Sequence, residues 1–519
     1  VLQEGQPKMD LAIYFNWFDY GLFGGDKGWE YYTDRGLEGA GYSYEFLSKA
    51  SLDLNNCKVS EGRLFNYGPA YKALIINAYR PYNTVLATRG NGMMPVESSK
   101  KILELAKAGL PVVVIGDTPS KDYNYGTYQN GKGDQEIRLA MKELLQLDDV
   151  VQVESEAEAV AGLQKLGIYP DAKFKENTVN LSAFHRANDE ADFYFLFNRT
   201  HEFILSGEHY DASRLNTDEA EILETDISFK GKGIPYLLDA WTGEIIRITE
   251  YTKEGDRYKI HVRLEPTDSK IIAFADQNWA GGGINTSVHV VNSNINAKAV
   301  FANDSLEVQA TSTGSYSYKL NNSKKVTAKI VSVPDEITLN NWSLQIESWE
   351  PNDAYKAGDL GKDNTNVYEI VKKKTDIDND GTADTYSLSG LKSWKDINPA
   401  LQGISGIGYY ETRVEIPSNW KESDAGYFLD LGETCEIFQV HVNDHKVDFN
   451  QFYPKADISK YLKTGKNTLK IEVASTIFNT AKTWNKNILD NRDCKGYWES
   501  YGLLGPVKLI PYGRTKIKI

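Results

Sequence analysis

The sequence predicts a multidomain chain of α/β plus all-β class, in which an α/β domain precedes β-sandwiches and a terminal antiparallel jelly roll. Three observations carry that prediction. The chain has 519 residues, more than one hydrophobic core normally serves. As far as about residue 170, short continuous apolar runs alternate with amphipathic helical stretches, the pattern of a parallel sheet covered on both faces. Beyond that point the apolar period falls to two, the signature of strands with one dry and one wet face.

In the first region Leu11 to Phe15 (LAIYF), Ala73 to Ile76 (ALII), Pro111 to Ile115 (PVVVI) and Val150 to Val153 read as buried strands. Between them, Pro95 to Ala108 reads as a helix. Ile102, Leu105 and Ala106 share one of its faces, and Lys100, Lys101, Glu104 and Lys107 cover the other. Gly109 is placed to stop it. Gln135 to Leu147 and Glu156 to Leu166 follow the same logic. The expectation is a flavodoxin-like or glutamine-amidotransferase-like α/β domain over residues 1–170.

From 171 to 276 the segments DFYFLFN, SFKG, IPYLLDAWTGEIIRI, YKIHVRLEP and KIIAFAD read as strands of a β-sandwich, with a hairpin turn at Trp241-Thr242-Gly243-Glu244. Gly281-Gly282-Gly283 reads as a linker. The alternating segments SVHVVN, KAVFAN, SLEVQA, SYSYKL and KVTAKIV make a small β-module over 277–340. Trp342 opens the last domain, 341–519. There Phe438, Val440 and Val442 alternate with Gln439, His441 and Asn443. Asn443-Asp444 then breaks the run as a hairpin turn would. DISKYLKTGKNTLKIEVAS reads as one short helical turn followed by a strand from Gly465 onward.

The segments LDLGETCEIFQVHVND, YPKADISKYLKTGKNTLKIEV and GLLGPVKL resemble the galactose-binding-like, sugar-binding domain that closes large glycoside hydrolases. They are most similar to the α-L-rhamnosidases of glycoside hydrolase family 106. FYFLFN and LLDAWTGEI resemble the small β-sandwich of the same family. The resemblance implies that the catalytic carboxylates lie on an N-terminal (β/α)8 barrel preceding this chain, and that LQEGQPKMDLAIY leaves that barrel. It also implies an extracellular or periplasmic protein, carbohydrate as ligand, and the parent's catalytic barrel as partner. No catalytic residue is assigned in this chain on that basis.

Composition agrees with a carbohydrate-handling role without requiring it. The chain holds 32 Tyr and 10 Trp, whose flat, partly apolar rings suit stacking on sugars, although β-rich proteins favour aromatics in any case. A net charge of −14 argues against nucleic acid or an anionic membrane as partner. No apolar run approaches a membrane span. Cys57, Cys435 and Cys494 show no metal-type spacing; they allow one disulfide and require none. The chain begins at Val1 without a signal peptide, which points to a processed product or a piece of something longer.

Several residues could carry chemistry. DIDNDGTAD places Asp376, Asp378, Asp380, Thr382 and Asp384 at alternating positions, with Gly381 sixth, as a Ca2+ loop requires. Position twelve is Ser387 rather than a bidentate Glu, and the flanks are strand-like. The loop is therefore a calcium-loop analogue or a solvated acidic hairpin. Trp484, Tyr497, Trp498, Glu499 and Tyr501 could combine an aromatic platform with a carboxylate that accepts sugar hydroxyls; core packing is the competing role. Trp29 lies in NWFDYGLFGGDKGWEYYTDRG, an aromatic, Gly-rich segment leaving the first strand, where open α/β sheets bind ligands. It is a sugar-facing lip or a plug docking the domain on a neighbour.

Other chemistries lack their parts. The GDTPS elbow after Ile115 carries no nucleophilic Cys, and no GxGxxG opens a first helix, so no organic cofactor is expected. Glycoside hydrolysis needs two positioned carboxylates, and no recognisable frame sets off a pair among the 72 acidic residues. Glu433 and Glu436 read as surface carboxylates, and His441 and His445 as surface residues flanking a turn. The reading is an accessory, carbohydrate-binding region of a glycoside hydrolase. The alternatives are a free-standing carbohydrate-binding protein and a glycosidase whose site lies on the α/β domain.

Overall fold

The computed structural model describes residues 3–15, 34–78, 92–122, 131–200, 221–279, 287–293, 297–302, 305–352, 370–418, 420, 425–484 and 498–519. The chain divides into two compact units. The first comprises Val1–Thr200, Glu221–Asp239 and Ile245–Asn285, and the second holds the remainder.

Unit 1 contains a parallel sheet of β1 (Leu11–Tyr14), β2 (Tyr44–Leu47), β3 (Ala73–Asn77), β4 (Val112–Ile115) and β5 (Val150–Val153). Its spatial order is 2-1-3-4-5, every ladder parallel. This is the doubly wound order whose direction reverses between β1 and β3. The continuous apolar runs follow from cover on both faces. Ala12, Tyr14, Leu74, Ile76, Val112 and Val114 pack against the helices Val96–Lys107 and Lys132–Leu144. Leu11, Ile13, Ala73, Ile75, Val113 and Ile115 pack on the opposite face against the helices Gly36–Ala40 and Ala159–Lys165. Gly109, at φ +91°, follows the end of the Val96–Lys107 helix, and the Leu110 N–H folds back onto the Leu105 carbonyl.

Strand β2 is absent from the sequence expectation. It is an edge strand with Phe46 45% exposed, so its residues lack the unbroken apolar character of β1, β3 and β4.

Apart from two short ladders, Val59–Ser60 with Arg63–Leu64 and Met93–Met94 with Lys121–Asp122, the remaining strands of unit 1 form an antiparallel sandwich. A six-stranded sheet built on Leu181–Ala187, Ala191–Asn198 and Ser269–Ala275 faces a four-stranded sheet built on Leu223–Lys230 and Arg257–Leu264. Tyr194, Phe229, Tyr258, Ile272 and Phe274 fill the space between them. Gln6–Lys8 pairs with Leu181–Ala187, so the chain contributes a sandwich strand before it enters the parallel sheet.

Unit 2 is antiparallel. Its six-stranded sheet runs Lys298–Ala302, Ser305–Ala310, Lys508–Lys518, Ala425–Asp430 and Lys455–Asp457, with Ile337–Thr338 also on Lys508–Lys518. Its seven-stranded sheet is built on Trp342–Pro351, Gly406–Ile416, Gly465–Ala474 and Ile437–Val442. Leu344, Tyr410 and Ile471 from the second sheet share one core with Leu429 and Leu509 from the first. A separate three-stranded sheet joins Val290–Ser293, Gly314–Leu320 and Lys325–Ile330. The hairpin at Asn443-Asp444 is as expected. Both residues have positive φ, 49° and 65°, which the right-handed twist of a two-residue hairpin demands. The single turn expected in DISKYLK is present, with the Tyr461 N–H on the Ile458 carbonyl, and the strand Gly465–Ala474 follows it.

Candidate functional site

The two edges of the parallel sheet are chemically different. At the amino edge, Asp10, Ser43 and Lys72 immediately precede β1, β2 and β3. Lys72 is buried, and its ammonium meets Asp10 at 2.5 Å, Asp171 at 2.6 Å and the Tyr169 carbonyl at 2.8 Å, which uses all three donors. Asp10 also accepts from the Ser43 backbone N–H and hydroxyl, both at 3.0 Å. Asp171 in turn meets His185 Nδ1 at 3.1 Å, and His185 Nε2 meets Asp192 at 2.9 Å. The imidazole stacks on Tyr194 at 4.3 Å.

Burial works to lower the His185 pKa, but hydrogen bonds to both carboxylates and their charges prevail and raise it above the ordinary value. A ring held between two carboxylates is favoured in its doubly protonated form, which can donate from both nitrogens. This network ties β1 and β3 to the sandwich. It lies at the edge opposite the carboxyl ends of the strands, where ligands of such sheets bind, so its chemistry is structural. Sequence reading missed it, and the only signal was a charged residue directly before each of two apolar runs.

At the carboxyl edge, Asn77 closes β3 and donates to buried Glu156 at 2.6 Å; the Asp34 N–H reaches the other oxygen of Glu156 at 2.9 Å. Trp29 and most of its aromatic segment lie outside the described residues, as do Tyr497, Cys494 and the triple-glycine linker.

The segment after residue 497 enters unit 2. Trp484 ends the helix Phe478–Trp484, and its side chain lies outside the described set. Asn479 of that helix clamps the segment: its amide accepts the Glu499 N–H at 3.0 Å and donates to the Glu499 carbonyl at 3.0 Å. The Glu499 carboxylate accepts the Thr476 hydroxyl at 2.6 Å, and Thr476 also meets the Tyr501 hydroxyl at 2.7 Å. Trp498 is half-buried, with the Lys482 ammonium 4.6 Å from its ring centroid.

Tyr501 is 1% exposed and packs edge-on against Trp394, so it supports Glu499 from the core and offers no ring face to a ligand. Glu436, on the surface with Glu433, has its pKa raised by burial and then by Glu499. Burial and the neighbouring Glu436 push the Cys435 thiol up to about 12, so it is inert as a nucleophile. Trp498 and Glu499 remain as an aromatic and a carboxylate side by side, able to accept hydroxyl hydrogen bonds.

The acidic loop partly assembles as the spacing implies. Asp376, Asp378 and Asp380 bring ligand oxygens within 4.8 Å of one another. Asn379 and Gly381 take positive φ, 60° and 86°, and the N–H groups of Asp380 and Gly381 bond to Asp376. The other two expected donors point elsewhere. The Thr382 hydroxyl donates to Asp380 at 2.6 Å, and Asp384 accepts from the Ile377 N–H at 2.9 Å and the Tyr386 hydroxyl at 3.2 Å. Three hard oxygen donors converge, which fits part of the six- to eight-oxygen shell of a cation such as Ca2+.

No family model matches the chain, and no curated protein matches it. Among solved structures, a rhamnosidase from Novosphingobium sp. PP1Y aligns over 98% of this chain, with a TM-score of 0.59 and 17% identity. The chain has a glycoside-hydrolase-like fold. It spans 39% of that rhamnosidase's length. A GH42 beta-galactosidase of G. stearothermophilus aligns over 52% of this chain and 41% of its own, at TM-score 0.26 and 13% identity. A beta-glucuronidase from Ruminococcus gnavus aligns over 27% of this chain and 22% of its own, at TM-score 0.19 and 17% identity. Among the described residues there is no closed eight-stranded parallel barrel, and no helix is long and apolar enough to cross a membrane.

Proposed function

We propose that this chain is the accessory, carbohydrate-binding region of an α-L-rhamnosidase-like glycoside hydrolase of the family 106 type. It acts with an N-terminal catalytic barrel of the same parent protein on rhamnose-containing polysaccharide or glycoside, outside the cell or in the periplasm. The proposed domains are the α/β domain to residue 170, the sandwich to 276, a small β-module to 340 that lends Lys298–Ala302 and Ser305–Ala310 to the sheet of the last domain, and a galactose-binding-like jelly roll to 519. The observation that carries the reading is the near-complete alignment of this chain with only part of a rhamnosidase. Trp498 and Glu499, with Trp484, Tyr497 and Trp29, are the proposed sugar contacts.

The test is to assay the isolated chain on p-nitrophenyl α-L-rhamnopyranoside and to run it by affinity electrophoresis through gels containing rhamnogalacturonan I. Retardation without turnover is the expected result. Sustained rhamnoside hydrolysis by this chain alone would move the reaction into it and overturn the accessory role.

The acidic loop is proposed to hold Ca2+ through Asp376, Asp378 and Asp380, with Thr382 and Asp384 shaping the loop. The ion would offset two of the three like charges and stiffen the hairpin leading to Tyr386–Leu388. At a hundredfold excess over Kd, one bound ion stabilises by about 2.7 kcal/mol, or roughly 5–10 °C in Tm for a unit of this size. Addition of Ca2+ to chelator-treated protein is expected to raise the unit 2 Tm by that amount, and Asp376→Asn to abolish the rise. An unchanged Tm at millimolar Ca2+ would remove calcium from the reading.

A further inference from the structure

The outer face of the seven-stranded sheet in unit 2 carries a cleft that the sugar contacts above do not use. Along Gly406–Ile416, Tyr410, Thr412 and Val414 point inward, leaving Tyr409, Glu411 and Arg413 on the outer face. Strand register sets their neighbours. Tyr409 lies between Gln345 and Glu472, and Glu411 between Ser343 and Lys470. A cleft of about 600 Å³ opens on this face, lined by Asn341, Ser343, Ser387, Ser389, Glu411 and Arg413 among others.

The lining selects its ligand class. It offers three serine hydroxyls, one amide and a carboxylate 3.7 Å from a guanidinium, so it is rich in hydrogen-bonding groups and its ionic pair is internally balanced. Such a lining suits a neutral polyol. An anion would meet Glu411 and a cation Arg413, and the apolar part of the lining, Trp342 and Leu388, is buried at the base of the cleft, where it can meet the apolar face of a sugar ring but offers a protein partner no protruding anchor. One rung away, two residues or roughly 6.8 Å along the strand, Tyr409 is 37% exposed. Burial and then Glu347 and Glu472 raise its pKa, which keeps the phenol a donor. The Gln345 amide beside it is held by the Thr385 hydroxyl at 2.9 Å.

We propose that this cleft is a second saccharide subsite, with Tyr409 as the stacking platform and Ser343, Ser387, Glu411 and Arg413 as the hydroxyl-recognising groups. The proposal rests on the carbohydrate-binding reading and adds a site to it.

The test compares wild-type chain with Tyr409→Ala and Glu411→Gln, using rhamnogalacturonan I in affinity electrophoresis and L-rhamnose in calorimetric titration. Both side chains point away from the core, and near-UV circular dichroism confirms that the variants fold. At least a tenfold loss of affinity in Tyr409→Ala, with a several-fold loss in Glu411→Gln, is the expected result. Wild-type affinity in both variants overturns the subsite while leaving the carbohydrate-binding reading intact. Failure of the wild type to bind either probe overturns both.

Discussion

Lys72→Met is expected to destabilise unit 1 by about 3–5 kcal/mol, because it leaves two buried carboxylates facing each other without their cation. Asp10 and Asp171 each lie within 2.6 Å of the Lys72 ammonium, and the substitution keeps much of the stem volume while removing the charge and its three hydrogen-bond donors, the one to the Tyr169 carbonyl included. Urea unfolding of wild type and variant measures the difference. A change below about 1 kcal/mol would mean that solvent or relaxation compensates the two aspartates.

The same network gives a pH signature. His185 has its pKa raised in the folded state from 6.5. Its contribution is therefore fully present below pH 6.5 and fades as pH rises through the higher folded value. Asp171 goes the other way. Burial acts to raise its pKa, but His185 and Lys72 outweigh that and hold it below 3.8. Its contribution is full above 3.8 and is lost as pH falls through the depressed value. Unit 1 should be most stable at mildly acidic pH. His185→Gln should remove the alkaline fall-off while keeping the acid one; an unchanged alkaline limb would assign that limb to another group.

Trp394→Ala is expected to cost unit 2 about 3–5 kcal/mol, the range for removing a fully buried large aromatic. Trp394 is 1% exposed, and its indole N–H donates to the Tyr410 hydroxyl at 2.9 Å. Its backbone N–H bonds to the Tyr501 carbonyl at 3.0 Å. The chain makes room for the ring at Gly502, where φ is +111° and a Cβ would come within 2.6 Å of the indole nitrogen. Loss of the ring therefore unseats Tyr501 and, through Thr476, the Glu499 carboxylate. Scanning calorimetry of the whole chain should show the unit 2 transition lowered with unit 1 unchanged, and the sugar affinity proposed for Trp498 and Glu499 should fall with it. A unit 2 transition within a degree or two of wild type would show that the pocket refills.

Legibility followed the range of the interactions. Strands β1, β3 and β4 were readable because both faces are buried, which forces an unbroken apolar run. Strand β2 was not, because an edge strand tolerates Tyr44, Glu45 and Phe46 at partly exposed positions. The acidic loop was visible because its ligand spacing is local, yet the spacing did not reveal that Asp384 turns back to Ile377 and Tyr386. The aromatic segment near the end suggested a platform, and Tyr501 instead belongs to the core, since ring chemistry alone does not distinguish stacking on sugar from packing on Trp394.

What the amino acids determined alone was the periodicity of each stretch, hence helix or strand, the turn at Asn443-Asp444 and the helix stop at Gly109. These are short-range steric and hydrophobic preferences. What only the folded chain decided was which distant groups meet. Asp10, Lys72, Asp171, His185 and Asp192 become one charge network, and Ser343, Ser387 and Glu411 become one cleft. Both depend on strand order and register, which bring residues far apart along the chain to within a hydrogen bond's reach, and no local pattern encodes that.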